Sequence, residues 1–242
     1  MDQHLNERIL VALDVDARAD ALRLADALRG FVGGFKIGSR LFTAAGPDVV
    51  RALVDRGDRV FLDLKFHDIP NTVAGAVAAA SDLGVWMLNV HASGGAAMMQ
   101  AALDAARASA ARRGAQPPLV IAVTVLTSMN QAALRDTGVV IDLMDHVLRL
   151  AESTREAGLD GVVASPRETA PIRARCGPAF AIVTPGIRGG SAGSRKDDQE
   201  RTMTPPEAVA AGASYLVIGR PILGAPDPRR AAEEIAGSLS GN

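Results

Sequence analysis

The sequence of 242 residues has a single cysteine, only three lysines and no excess of positive charge. Cys176 alone cannot form an intrachain disulfide or supply a thiolate metal cage, so neither type of stabilisation is expected. The formal net charge of -1 leaves no basic surplus to neutralise a nucleic-acid backbone or an anionic membrane. We therefore expect no nucleic-acid partner and no membrane partner.

Long apolar runs are also missing. No run approaches the ~18 residues that a bilayer-spanning helix requires, and residues 1–8 are polar rather than signal-like. These features predict a cytoplasmic location. The hydrophobic fraction of 48% suffices for one sizeable core, and no Ser/Gly/Pro-rich linker divides the chain. We expect residues 1–242 to form a single domain.

Eight short apolar runs alternate with Ala/Leu/Arg/Glu-rich stretches. Nearly continuous apolar runs are typical of parallel strands that are covered on both faces. Eight such units predict an α/β protein with the (β/α)8 TIM-barrel fold, and a doubly wound open sheet is the alternative. The predicted strands are Ile9–Leu13, Gly34–Ile37, Val60–Leu64, Trp86–Val90, Leu119–Val123, Gly161–Ala164, Ala179–Val183 and Tyr215–Ile218. The clearest predicted helices are Asp20–Leu28, Thr72–Leu83, Ala96–Ala111, Ile141–Ala157 and Pro228–Ala236.

The choice of basic residue is uneven, with 23 arginines against three lysines. Lys36 and Lys65 both lie in apolar, strand-like runs, where a charge is costly unless it is paired. Lysine can release its proton and arginine cannot, so these two positions indicate either proton transfer or a structural ion pair. Lys36 alone does not separate these two alternatives.

Polar side chains follow the apolar runs, where a barrel places its catalytic residues. They are Asp14, Lys36, Asp63, Lys65, Asp68, Asn89, His91, Thr124, Thr127, Ser165, Thr184, Arg188 and Arg220, the last of which is preceded by Gly219. Asp63 and Lys65 are two positions apart, so both side chains should face the barrel interior as neighbours. With Lys36 and Asp68 they would form an alternating charged array. Such an array can stabilise a developing carbanion and protonate it through Lys65. A Schiff base is a competing use of Lys65, although flanking carboxylates make its amine a poorer nucleophile.

The stretch from Asp63 to Thr72, Asp-Leu-Lys-Phe-His-Asp-Ile-Pro-Asn-Thr, resembles the signature of the bacterial orotidine 5'-phosphate decarboxylases. Further segments resemble that family and occur in the same order along the chain. They are Val11-Ala12-Leu13-Asp14, Phe35-Lys36-Ile37-Gly38, Asn89-Val90-His91-Ala92-Ser93-Gly94-Gly95, Val123-Thr124-Val125-Leu126-Thr127-Ser128, Val183-Thr184-Pro185-Gly186-Ile187-Arg188 and Val217-Ile218-Gly219-Arg220-Pro221.

The resemblance implies decarboxylation of orotidine 5'-phosphate to uridine 5'-phosphate, without a cofactor or a metal. By the same resemblance, Lys65 would protonate C6 of the pyrimidine, while Asp63 and Asp68 flank the departing carboxylate. Lys36 and Asp14 would hold the ribose hydroxyls. The resemblance further implies a homodimer with shared sites, in which Asp68, Ile69 and Thr72 reach into the partner's site.

The remaining implied contacts concern the base and the phosphate. Thr127 would contact the pyrimidine, and the phosphate would be held by Arg188, Gln199, Gly219 and Arg220. Residues 189–198 depart from the family pattern, so Gln199 is placed from the segment 198–201 that precedes a predicted helix start at Thr204.

Other interpretations of these residues stay open. His67 and His91 are expected to be structural hydrogen-bonding groups, and metal binding by Asp63, His67, Asp68 and His91 is a minority alternative. A related phosphosugar barrel, such as a hexulose-phosphate synthase or ribulose-phosphate epimerase, shares the Asp-x-Lys-x-x-Asp pattern, and metal dependence would separate it. A silent barrel is the second rival, in which the charged residues are structural only.

Overall fold

The computed structural model describes residues 5–188 and 202–240, and eight parallel strands form a closed barrel in chain order. The strands are β1 (Ile9–Ala12), β2 (Gly34–Gly38), β3 (Val60–Phe66), β4 (Met87–His91), β5 (Leu119–Val123), β6 (Gly161–Val163), β7 (Ala181–Thr184) and β8 (Tyr215–Ile218). The closed order confirms the predicted (β/α)8 barrel and excludes the open sheet.

Eleven α-helices lie within the described residues. They are α1 (Arg18–Leu28), α2 (Ser39–Ala45), α3 (Asp48–Val54), α4 (Pro70–Asp82), α5 (Gly95–Arg113), α6 (Gln131–Asp136), α7 (Leu143–Glu156), α8 (Thr169–Cys176), α9 (Pro205–Ala210), α10 (Arg220–Leu223) and α11 (Pro228–Ser238). The five helices predicted in full are present as α1, α4, α5, α7 and α11. Of the helices in the described part of the chain, none is long and apolar enough to cross a membrane.

The barrel interior is packed with apolar side chains toward the amino ends of the strands. The interior cluster is Leu10, Ala12, Phe61, Met87, Ile121, Val183 and Val217. Trp86 and Tyr215 close this end with their rings edge to face and 5.1 Å apart, and the guanidinium of Arg59 lies over Trp86. Inside the barrel, the polar side chains of Lys36, Asp63 and Asn89 lie toward the opposite end, where the strands finish.

The strand register brings the lysine of β2 beside the acidic residue of β3. Lys36 is paired with Ala12 on one side and Phe61 on the other, and Gly38 is paired with Asp63. Side chains two positions apart on a strand share a face, so Lys36 and Asp63 both project toward the barrel mouth.

The carboxyl end of β3 differs from its prediction. The strand was predicted to end at Leu64 but continues to Phe66, and its register against β4 is irregular between Leu62 and Phe66. The extension exists because Phe66 pairs with Val90 beyond the irregularity, while the backbone amide of Lys65 donates to the Asn89 side chain. A side-chain partner of this kind comes from another strand and is invisible to local sequence patterns.

Candidate active site

Asp63 lies at the centre of a charged cluster at the barrel mouth. Its Oδ1 accepts a hydrogen bond from Nζ of Lys65 at 2.6 Å and another from Nδ2 of Asn89 at 2.7 Å. Its Oδ2 lies 3.6 Å from Nζ of Lys36. The expected contact between Asp63 and Lys65 is therefore present, and each oxygen of the carboxylate faces a different ammonium group.

These neighbours keep Asp63 ionised although only 13% of its side chain is exposed. Burial alone would raise the pKa of the carboxyl, but the charges of Lys36 and Lys65 and the hydrogen bonds from Lys65 and Asn89 outweigh it. The pKa of Asp63 is consequently lowered from its ordinary value. Asp63 therefore stays negatively charged at neutral pH, between the side-chain nitrogens of Lys36 and Lys65.

Lys36 connects the centre of the cluster to its rim. Its Nζ lies 3.2 Å from Oδ1 of Asp14, whose side chain is about half exposed at the end of β1. Gly38 makes room for this ammonium group, because a Cβ at that position would lie 2.9 Å from Nζ of Lys36. A Cβ at Gly219 would likewise lie 3.6 Å from Oδ2 of Asp14. Asp14, Lys36 and Gly219 therefore form one continuous part of the barrel mouth.

Lys65 has an unusual backbone conformation. Its φ of 53° is the only positive value among the non-glycine residues of the described chain, and its amide donates to Oδ1 of Asn89 at 2.8 Å. Asn89 is fully buried and contacts both Lys65 and Asp63. The sequence placed Asn89 at a strand end but assigned it no role, because the bonds it makes depend on the irregular pairing of β3 with β4.

Asp68 does not join the cluster within its own chain. Its Oδ1 accepts from the backbone amide of Ile69 at 2.6 Å, and no hydrogen bond or ion pair joins the described residues Asp68 and Lys65. Asp68, Ile69 and Thr72 are all exposed around the start of α4, and 66% of Ile69 is accessible. Within one chain, therefore, only three of the four residues of the predicted charged array come together: Lys36, Asp63 and Lys65.

His67 and His91 lie beside the cluster with their ring centroids 5.3 Å apart. Burial, together with the nearby His67 and Lys65, lowers the pKa of His91, while Asp63 opposes this shift. Within residues 5–188 and 202–240, no group of three or more His, Cys, Asp or Glu side chains is arranged to hold a metal ion.

Thr127, Arg188, Gly219 and Arg220 follow the carboxyl ends of β5, β7 and β8 at the same mouth. Thr127 is half-buried in the loop after β5, and Arg188 follows β7, where its amide donates to the carbonyl of Met203 at 2.9 Å. Gly219 is the N-cap of α10 and Arg220 is the first residue of that helix. Gln199 lies outside the described residues, so its predicted phosphate contact has no structural description.

This geometry favours chemistry on an electron-rich centre. An ammonium group that can release a proton lies beside a buried anion and a second ammonium group, and the side chain of Lys65 is 35% exposed toward the mouth. A bound molecule could reach Lys65 from solvent. Such a site suits proton donation to a carbon or oxygen that gains negative charge.

Comparison with known proteins identifies the group to which the chain belongs. Residues 7–235 match the family described as orotidine 5'-phosphate decarboxylase / HUMPS. The orotidine 5'-phosphate decarboxylase of Moorella thermoacetica is 57% identical over 237 residues, which cover 98% of this chain and 93% of that protein. The enzyme of the same name from Syntrophotalea carbinolica is 52% identical over 234 residues, covering 97% and 95% of the two chains.

A solved structure has the same fold. The crystal structure of orotidine 5'-phosphate decarboxylase from Lactobacillus acidophilus superposes with a TM-score of 0.85 at 36% identity, covering 96% of this chain and 99% of that one. The sequence matches extend over almost the whole chain and include the barrel and the mouth. The chain therefore belongs to the orotidine 5'-phosphate decarboxylase / HUMPS family.

Proposed function

We propose that this chain is a carboxy-lyase that converts orotidine 5'-phosphate to uridine 5'-phosphate and carbon dioxide, the last step of de novo synthesis of uridine 5'-phosphate. The observation that carries the proposal is the 2.6 Å contact between Nζ of Lys65 and Oδ1 of the buried Asp63, with Lys36 on the other carboxylate oxygen. The relatives at 52–57% identity, which bear the name of this activity, support the choice of substrate.

The chemistry at C6 uses the chain's own charges. When the bond between C6 and the carboxylate breaks, carbon dioxide leaves and the electron pair stays on C6. The ammonium of Lys65 stabilises this pair and then transfers a proton to C6, so one proton is consumed for each carbon dioxide released. Lys65 regains its proton from water before the next turnover. Asp63 remains ionised throughout and holds Nζ of Lys65 in place.

The ribose and the base are bound by residues around this centre. Lys36 and Asp14, whose charged atoms are 3.2 Å apart, bind the ribose hydroxyls, and Thr127 contacts the pyrimidine. The proximity of Gly219 to Asp14 supports a phosphate site beyond the ribose, at Gly219, Arg220, Arg188 and Gln199. Because the phosphate is remote from C6, its binding energy can be used to align the reacting carbon.

The site includes residues of a second chain. Asp68 has no hydrogen bond or ion pair with Lys65 of its own chain among the described residues, and Ile69 beside it is largely exposed. A homodimer in which Asp68, Ile69 and Thr72 enter the partner's site accounts for both observations. The proposal includes a cytoplasmic location and needs no cofactor or metal.

The phosphosugar barrels remain the alternative activity within the family. Three features favour the decarboxylase: the run from His67 to Thr72, the Thr127 segment, and the name of the relatives at 52–57% identity. No observation on this chain favours the silent barrel over an enzyme.

The proposal is tested by incubating the purified protein with orotidine 5'-phosphate in the presence of a chelator. We expect conversion to uridine 5'-phosphate, which is monitored through the loss of the absorbance of the orotate ring. Conversion only after magnesium is added would contradict the metal-free mechanism. A folded protein that leaves orotidine 5'-phosphate unchanged but acts on a phosphosugar would replace the proposed activity with the alternative one.

A further inference from the structure

Asn89 is a fully buried polar side chain at the end of β4, beside the irregular part of β3. A buried amide is costly unless its donor and acceptor groups are both hydrogen-bonded. In Asn89 both groups are hydrogen-bonded: Oδ1 accepts from the amide of Lys65 at 2.8 Å, and Nδ2 donates to Asp63 at 2.7 Å.

The orientation of the Asn89 amide follows from chemistry. If the amide were rotated by 180°, Nδ2 would face the N–H of Lys65 and Oδ1 would face a carboxylate oxygen of Asp63, so both pairs would repel. Only the observed orientation satisfies both neighbours. An uncharged side chain at position 89 must therefore offer both an acceptor for the amide of Lys65 and a donor for Asp63.

The two bonds of Asn89 close a ring around Lys65. The ring runs from the backbone amide of Lys65 to Asn89, from Asn89 to Oδ1 of Asp63, and from that oxygen to Nζ of Lys65. Asn89 therefore contacts the backbone of the lysine directly and its ammonium group through Asp63. Both ends of the same lysine are fixed by one neutral side chain.

The backbone of Lys65 has a conformation that its surroundings must stabilise. The φ of 53° at Lys65 lies in the left-handed region, which is unfavourable for a residue with a long side chain, and such conformations persist only where the surroundings impose them. The hydrogen bond from the amide of Lys65 to Asn89 lies within the segment where the register of β3 against β4 is irregular.

We propose that Asn89 is a positioning residue that holds Lys65 in its left-handed conformation and keeps Asp63 as its charged partner, so that Nζ stays fixed for proton transfer. The role rests on the proposed decarboxylation. Asn89 has no exposed surface and acts through Lys65 and Asp63.

The test compares Asn89→Asp and Asn89→Leu with the wild type and with Thr154→Val. Thr154 is a matched control, because it is also fully buried and its hydroxyl donates to the carbonyl of Leu150 at 2.7 Å within α7. At pH 8 we expect both Asn89 variants to lose about 10- to 100-fold in kcat with little change in KM, as small displacements of a reacting group do. Thr154→Val should keep the wild-type kcat.

Acid should rescue one variant and not the other. In Asn89→Asp the new carboxyl lies beside the Asp63 carboxylate, so burial and like charge raise the pKa of the pair. Once the pair takes up a proton, it again carries one negative charge, one donor and one acceptor, as the wild type does. The kcat of Asn89→Asp, relative to the wild type, should therefore rise as pH falls, whereas that of Asn89→Leu should stay low.

A second measurement does not depend on turnover. Carbon-13 NMR of labelled aspartate carboxyls, assigned with Asp63→Asn, should show a higher pKa for Asp63 in Asn89→Leu than in the wild type. A wild-type kcat in Asn89→Leu, a pH-independent loss in Asn89→Asp, or an unchanged Asp63 titration would each overturn the positioning role.

If the wild-type protein does not decarboxylate orotidine 5'-phosphate, the proposed function fails, and the titration still decides whether Asn89 controls Asp63. If Asn89→Leu does not fold, the acid rescue of Asn89→Asp decides.

Discussion

The carboxylate of Asp63 accepts a 2.6 Å hydrogen bond from Lys65, the residue two positions later on the same strand. Two residues so spaced face the same side of a regular strand, but the left-handed backbone at Lys65 and the bond from Asn89 fix their distance. The chemistry of the site depends on this pair, and the predictions below separate the contributions of its neighbours.

Lys65 is expected to be indispensable for turnover but not for binding. Replacing it with alanine removes both the proton donor and the charge, so kcat should fall by at least about 10⁴-fold. Binding of uridine 5'-phosphate, measured by calorimetry, should remain detectable. Lys65→Arg keeps the charge but cannot release a proton, and it should be nearly as inactive. Substantial turnover by either variant would remove Lys65 from the proton-donor role.

Asp63 should make stability depend on pH in the acid range. Its pKa is lowered in the folded protein, so its stabilising effect is present above its ordinary pKa of 3.8 and is lost as pH falls through the lower, folded value. The free energy of unfolding of the wild type should exceed that of Asp63→Asn at pH 6, and this difference should shrink below about pH 4. Urea unfolding of both proteins from pH 3 to pH 7 measures this difference. A difference that does not change with pH would contradict the lowered pKa of Asp63.

Gly38 is expected to be required for the position of Lys36. A Cβ there would lie 2.9 Å from Nζ of Lys36, so Gly38→Ala must move the ammonium group away from Asp14 or Asp63. We expect kcat/KM to fall about 10-fold. Gly237→Ala is the control, because a Cβ on this exposed helical residue meets nothing within 4 Å. That control should keep full activity and gain about 0.5–1 kcal/mol in the free energy of unfolding. Equal activity of the two variants would show that Lys36 has room to adjust.

Arg220 should discriminate between ligands with and without a phosphate. If it binds the phosphate, Arg220→Ala should weaken uridine 5'-phosphate by about 10- to 100-fold, the usual effect of a charge-assisted hydrogen bond. The affinity for uridine should hardly change. Arg230→Ala is a suitable control, since this exposed arginine pairs with Glu234 at 2.9 Å on α11. Equal losses for the nucleotide and the nucleoside would refute the phosphate contact.

Shared sites can be detected by mixing two inactive proteins. A heterodimer of Lys65→Ala and Asp68→Ala subunits has one site with both defects and one site with neither. Random exchange makes half of the dimers mixed, so activity should recover to about a quarter of the wild-type value. Exchange is verified with differently tagged subunits. No recovery despite verified exchange would mean that each chain completes its own site.

The sequence alone sufficed for the fold because its signals are local. Eight buried strands need nearly continuous apolar runs, and the Ala- and Leu-rich stretches between them are long enough to be helices, so the barrel follows from alternation and length. The short helices α2, α3 and α6 were not predicted, because their few residues carry little periodic signal. The start of α9 was predicted from Thr204 and Glu207, which form a capping box there.

The family was also contained in the sequence, since the run from Asp63 to Thr72 is contiguous and the other segments follow in order. The pairing of Asp63 with Lys65 follows from their spacing on one strand. By itself, then, the sequence determined the barrel, the family and the meeting of Lys36, Asp63 and Lys65 at the barrel mouth. The tertiary structure decided what depends on contacts between strands: the left-handed backbone of Lys65, the closure of its hydrogen-bonded ring by Asn89, and the separation of Asp68 from that ring. The first two features lie in the irregular pairing between β3 and β4, and no local pattern of residues specifies such a pairing.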